Sequence, residues 1–201
     1  MTPERLYCTF GPRALDLGLF HANEPALRFE LSSGATRIDE FARAFDRARE
    51  ILGYLFRDSA SLTVVLHRFD DGAGTARAVL RSARECGIPL LRPRCQWTED
   101  YQDEHGAELR RFVSFRAEPA SLTRLAWGAL GADLGIRPAL HASVTIADVE
   151  RGILVHPYDD RGMDVIGPNR DLLAAAYSRF NGYLLDYDRE RMRGFFDPNG
   201  P

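Results

Sequence analysis

Between residues 36 and 56, apolar positions recur at spacings of three and four. Ile38, Phe41, Ala42, Phe45, Ala48, Ile51, Leu52 and Leu55 fall on one stripe, and charged residues such as Asp39 and Arg43 fill the rest. That period predicts an amphipathic helix packed on a core. Elsewhere the pattern shortens. Residues 26–31 (ALRFEL) and 61–69 (SLTVVLHRF) read as strands, the second rich in β-branched residues. Turns at Ser32-Ser33-Gly34 and Asp70-Asp71-Gly72 follow them, and a second helix covers about 75–86.

Residues 90–97 and 109–117 predict two more strands. The acidic stretch TEDYQDEHGAE between them predicts a hairpin with a long exposed loop. A helix opens after Pro119 with Ser121 as candidate N-cap and stops at Gly135–Pro138. Residues 140–149, 153–158 and 163–166 are strand-like and joined by short turns, which predicts an antiparallel meander. Helices at about 169–185 and 188–196 close the pattern, the latter with Asp188 as N-cap. Residues 1–25 give no readable period; Pro12, Gly18 and Pro25 interrupt them.

Strands and helices do not alternate strictly, so the expected class is α+β. The expected architecture is a mainly antiparallel sheet with a C-terminal three-strand meander, packed by four to five helices. Residues 1–201 are expected to form one domain, its core spanning 26–196.

Composition narrows the setting. All 26 cationic side chains are Arg and the net charge is −3, so no basic excess favours nucleic acid. Arg92, Arg94, Arg110, Arg111 and Arg116 could share one sheet face, but acidic neighbours blunt their field. Cys8, Cys86 and Cys95 are odd in number and lack C-x-x-C spacing, which points to a reducing compartment rather than a disulfide framework or zinc ribbon. With no secretory pattern and no apolar run of about 20 residues, the expectation is a cytoplasmic protein away from membranes.

Candidate chemistry gathers in two places. His156, Asp159, Asp160 and Asp164 surround one turn, and oxygen ligands with a histidine base suit a Mg²⁺- or Mn²⁺-dependent hydrolase or nuclease. The same Asp-Asp-x-Gly is ordinary turn chemistry, which is the preferred reading. Asp186, Asp188 and Glu190 could join that group only through tertiary approach. The second place is Trp97, Glu99, Asp100, Tyr101, Asp103 and Glu104, where acids beside aromatics suit an interface with a basic protein surface. His67 and His141 fall in strands and read as packed core. No P-loop, G-x-S-x-G or G-x-G-x-x-G is present, and no cofactor is expected.

The C-terminal third resembles the bacterial family catalogued as domain of unknown function 3885. The resemblance rests on Tyr158, Asp159, Asp160, Arg161, Gly162 and Asp164, then Asn181 and the run Asp186, Tyr187, Asp188, Arg189. It extends upstream to residues 27–31, 44–48 and 61–66. It implies no activity and transfers no catalytic residue. The expected function is a non-catalytic protein-binding module, such as a toxin-immunity or regulatory protein, whose partner is another protein.

Overall fold

The computed structural model describes residues 3–32, 36–69, 72, 74–103 and 106–197. Helices α1 (Pro3–Phe10) and α2 (Leu19–Ala22) precede strand β1 (Ala26–Glu30). Then come α3 (Arg37–Leu55), β2 (Leu62–Phe69), α4 (Thr75–Glu85), β3 (Leu91–Asp103), β4 (Gly106–Ala117) and α5 (Leu122–Leu134). Strands β5 (Ser143–Asp148), β6 (Ile153–Asp159) and β7 (Gly162–Ile166) precede α6 (Arg170–Arg179) and α7 (Arg189–Phe196). The class is α+β, as the pattern predicts.

The strands form one antiparallel sheet in the order β1-β7-β6-β5-β2-β4-β3. The predicted meander is its β5-β6-β7 segment. Its two faces differ in chemistry, because side chains alternate along each strand. One face presents Phe29, Val165, Val155, Ile146, Val64 and Phe115, all buried in the core with the inner stripes of α3, α5 and α6. The other carries a cross-strand polar row, and the N-terminal segment lies over it.

Helix α3 starts where Thr36 Oγ1 accepts the Asp39 amide at 3.2 Å, an N-cap that satisfies a free first-turn N–H. Of its predicted stripe, Phe41, Ala48, Ile51, Leu52 and Leu55 are buried and Phe45 is half-buried, whereas Ala42 is exposed and Ile38, in the first turn, is 80% exposed. Ser121 makes no side-chain cap; a 3-10 turn over Pro119–Ser121 leads into α5 instead. Asp188 also forms no side-chain cap; its carboxylate is drawn to the half-buried Arg28 guanidinium. The helix expected over 169–185 stops at Arg179, and 3-10 turns at Asn181–Tyr183 and Asp186–Asp188 follow it.

The largest correction concerns the long loop. Strands β3 and β4 continue to Asp103 and from Gly106, with Glu99 opposite Arg110 and Tyr101 opposite Glu108. Polar residues continue the ladder because β3 is an edge strand with one face in solvent, so outward positions need no apolar side chain. The turn residues Ser33, Gly34, Asp70 and Asp71 lie outside the described residues, as do Glu104 and the side chain of Asp103.

Candidate functional site

Register brings His156 of β6 opposite Asp164 of β7, and Asp164 opposite Arg28 of β1. On the far side, His67 of β2 stands opposite Ser143 of β5 and Phe112 of β4, and Phe112 opposite Trp97 of β3. One polar row therefore crosses the sheet.

Asp164 is its anchor. The residue is wholly buried. Its Oδ1 accepts Arg28 Nε at 2.7 Å, and its Oδ2 accepts Arg28 Nη2 at 2.9 Å and the Phe20 amide at 3.0 Å. Arg28 Nη1 reaches Asp188 Oδ2 at 3.4 Å and His21 Nε2 at 3.0 Å. The guanidinium also lies over the Phe20 ring, 4.9 Å from its centroid. The hydrogen bond to Asp164 holds Arg28 firmly charged against the opposing cost of its burial.

His156 is 3% exposed, and its Nε2 lies 2.8 Å from Ser143 Oγ. Burial depresses its pKa to about 4 despite Asp164 and Asp159 nearby. His67, with its ring centre 6.3 Å from that of His156, is depressed to about 3, again mainly by burial. Both imidazoles are therefore neutral at pH 7, and neither buried Nδ1 has a hydrogen-bond partner among the described residues. Ser143, His156 and Asp164 are the residue types of a nucleophilic triad but are not wired as one. A triad needs its acid on the histidine Nδ1, and Asp164 spends its oxygens on Arg28 and Phe20.

The other turn carboxylates do not converge with His156 on a shared centre. Asp159 accepts the amides of Arg161 and Gly162 at 2.8 and 3.2 Å and pairs with the Arg161 side chain. Asp160 accepts Ser32 Oγ at 3.3 Å. Asp186 pairs with Arg189, which also reaches Asn181. Among the described residues, no three of His, Cys, Asp and Glu are grouped to hold a metal ion. Asp164 and Asp188 do approach each other, but Arg28 stands between them as a shared cation. Tyr158 is partly exposed and leans over Gly162, while Tyr187 is 90% exposed.

The acidic–aromatic group divides by strand parity. Trp97, Glu99 and Tyr101 turn inward and are half-buried, whereas Asp100 is exposed. Glu99 Oε1 accepts Trp97 Nε1 at 2.8 Å and the Tyr7 hydroxyl. Burial, then this bond, pushes the Tyr7 phenol far above its usual range. Trp97 stacks on Phe112 with centroids 5.0 Å apart. Arg110, 4% exposed, donates to the Leu15 carbonyl at 3.0 Å. It lies on the opposite face from Arg111, so the five arginines share no surface. His141 is exposed rather than packed in the core, and its Nε2 accepts Arg137 Nη1 at 2.7 Å.

Arg28, His67 and Ser143 were not legible as members of one group. Their only signal is a polar residue interrupting an apolar strand, as Arg28 does in LRFEL.

No helix is long and apolar enough to cross a membrane among the described residues. The family model described as Domain of unknown function (DUF3885) matches residues 3–188, and the chain belongs to that family. The match includes Tyr158–Asp164 and ends at Asp188, one residue before Arg189. No curated protein and no solved structure matches the chain.

Proposed function

For this member of the family, we propose a non-catalytic protein-binding module, of a regulatory or toxin-immunity kind, that engages its partner along β3. One observation carries the reading. Strand β3 is thirteen residues long, and among the described residues no strand pairs with its outer side. An unpaired edge offers a row of backbone donors and acceptors to an added strand. Gln96, Thr98, Asp100 and Gln102 are exposed along it, and Asp100 suits a basic partner.

The carboxylates at 159, 160 and 164 support the non-catalytic half of the reading, since each is engaged by donors of its own chain. No observation favours the metal-dependent hydrolase over it. Three free thiols fit a reducing, cytoplasmic setting, and one continuous buried cluster fits a single domain.

The test is capture from a lysate of the native organism on immobilised protein. A stoichiometric protein partner should be held by the unaltered chain and by Tyr187→Ala. It should be lost from Gln96→Lys/Thr98→Lys, whose outward charges blunt the edge. Equal retention by all three, or no partner held by any, would overturn the reading.

A further inference from the structure

A cavity of about 490 Å³ opens where β2, β5 and β6 end beside α5, a size usual for small-molecule sites. We infer that it binds a small, uncharged aromatic molecule carrying a hydrogen-bonding group.

The apolar rim comes first. Soluble proteins scatter their exposed apolar side chains, and convergence marks a site. Leu17, Phe69 and Tyr158, 42%, 38% and 37% exposed, come from the loop before α2, from β2 and from β6, and line this one cavity. Two of them are aromatic and offer ring faces or edges to a flat ligand.

The deep lining is polar but neutral. His67 lines the cavity while only 4% exposed, and burial keeps its imidazole neutral at pH 7. Ser143 presents a hydroxyl whose position is fixed by His156 Nε2 at 2.8 Å. Ser143 is half-buried, so its hydroxyl is the polar group of this lining that a ligand can reach and bond.

The charged residues of the lining, Arg68, Asp133 and Arg137, carry both signs, and Arg137 is already engaged with His141. Asp133 and Arg137 are exposed, and Arg68 turns to the opposite face of β2 from His67, so a charged ligand beside His67 would be desolvated without a counter-ion. An uncharged ligand that can donate or accept meets no such cost. The cavity lining includes no residue of β3, so this inference stands or falls separately from the edge-binding reading.

The test uses the full chain and three probes of one size: p-cresol, toluene and benzoate, titrated by calorimetry with saturation-transfer NMR as a second readout. p-Cresol should bind saturably, about three- to tenfold more tightly than toluene, the range one hydrogen bond supplies, and more tightly than benzoate. Ser143→Ala should remove the advantage over toluene. Leu17→Ser and Phe69→Ser, on the exposed rim where folding is spared, should weaken p-cresol and toluene alike. Absence of saturable p-cresol binding, equal affinity for all three probes, or indifference to both rim variants would overturn the inference.

Discussion

Arg28 and Asp164 face each other across β1 and β7, joined by two parallel N–H···O bonds of 2.7 and 2.9 Å. Asp188 touches the same guanidinium, so three stretches of the family resemblance, 27–31, 158–164 and 186–189, meet at Arg28. Removing one member of a buried ion pair strands the other, at about 3–5 kcal/mol. Asp164→Ala should lose about that much in urea denaturation. Arg28→Lys should not restore the stability of the native residue, because a point charge cannot make the fork. Asp188→Ala, whose contact is longer and less buried, should cost clearly less than Asp164→Ala.

Two glycines can be told apart by what obstructs them. A Cβ on Gly162 would collide with the Tyr158 phenol, the far end of a movable side chain. Gly162→Ala should therefore cost about 1–2 kcal/mol, largely recovered in Gly162→Ala/Tyr158→Ala. Gly167 has φ +149°, and its Cβ would meet the Gly152 carbonyl, backbone that cannot turn aside. Gly167→Ala should cost about 3 kcal/mol or more, read as a lower urea midpoint.

Glu99 and Asp100 are neighbours with opposite expected behaviour. Glu99→Arg removes the acceptor for Tyr7 and Trp97 and sets a second cation near Arg110, so about 1–3 kcal/mol of stability should go. Asp100→Arg, on the outward face, should change stability by less than about 0.5 kcal/mol. Loss of capture by Asp100→Arg would then report the interface and not the fold.

Acid should destabilise the chain through its buried histidines. His67 and His156 titrate at about 3 and about 4 when folded, against a usual 6.5. The unfolded chain thus binds more protons in that interval, and stability rises with pH across it. It should be full above about pH 6.5 and fall steadily towards pH 4. Arg110 and His156 depress His67, and Arg28 adds to burial at His156, while Asp164 and Asp159 oppose it. At about 1.4 kcal/mol per unit the total is several kcal/mol, and urea midpoints in His156→Gln should fall less steeply from pH 7 to pH 4 than in the native sequence.

Much of the fold could be read from period alone. The four-three-four spacing of Phe41, Phe45, Ala48 and Leu52 needs a buried stripe, and the run of β-branched residues at 62–66 needs a strand covered on both sides. The ribbon was harder, because alternation at 95–102 sets Trp and Tyr against Thr and Gln among acids, and edge strands carry such residues without an apolar face to advertise them. The polar row was harder still. His67, Ser143, His156, Asp164 and Arg28 are scattered over more than a hundred residues, and only strand order decides that they are neighbours. The first 25 residues resisted for a related reason: their helices are short and are held by partners far along the chain.

Those partners set the order of events during synthesis. Tyr7 waits for Glu99, the Leu15 carbonyl for Arg110, and the Phe20 amide for Asp164. A segment translated early thus completes these three contacts only when β7 has left the ribosome. Contacts so distant in sequence slow folding, and until they form, the sheet face bearing Arg28, His67 and Arg110 has no cover. The nascent chain therefore passes through a stage in which its future interior is open to water, to chaperones and to other chains.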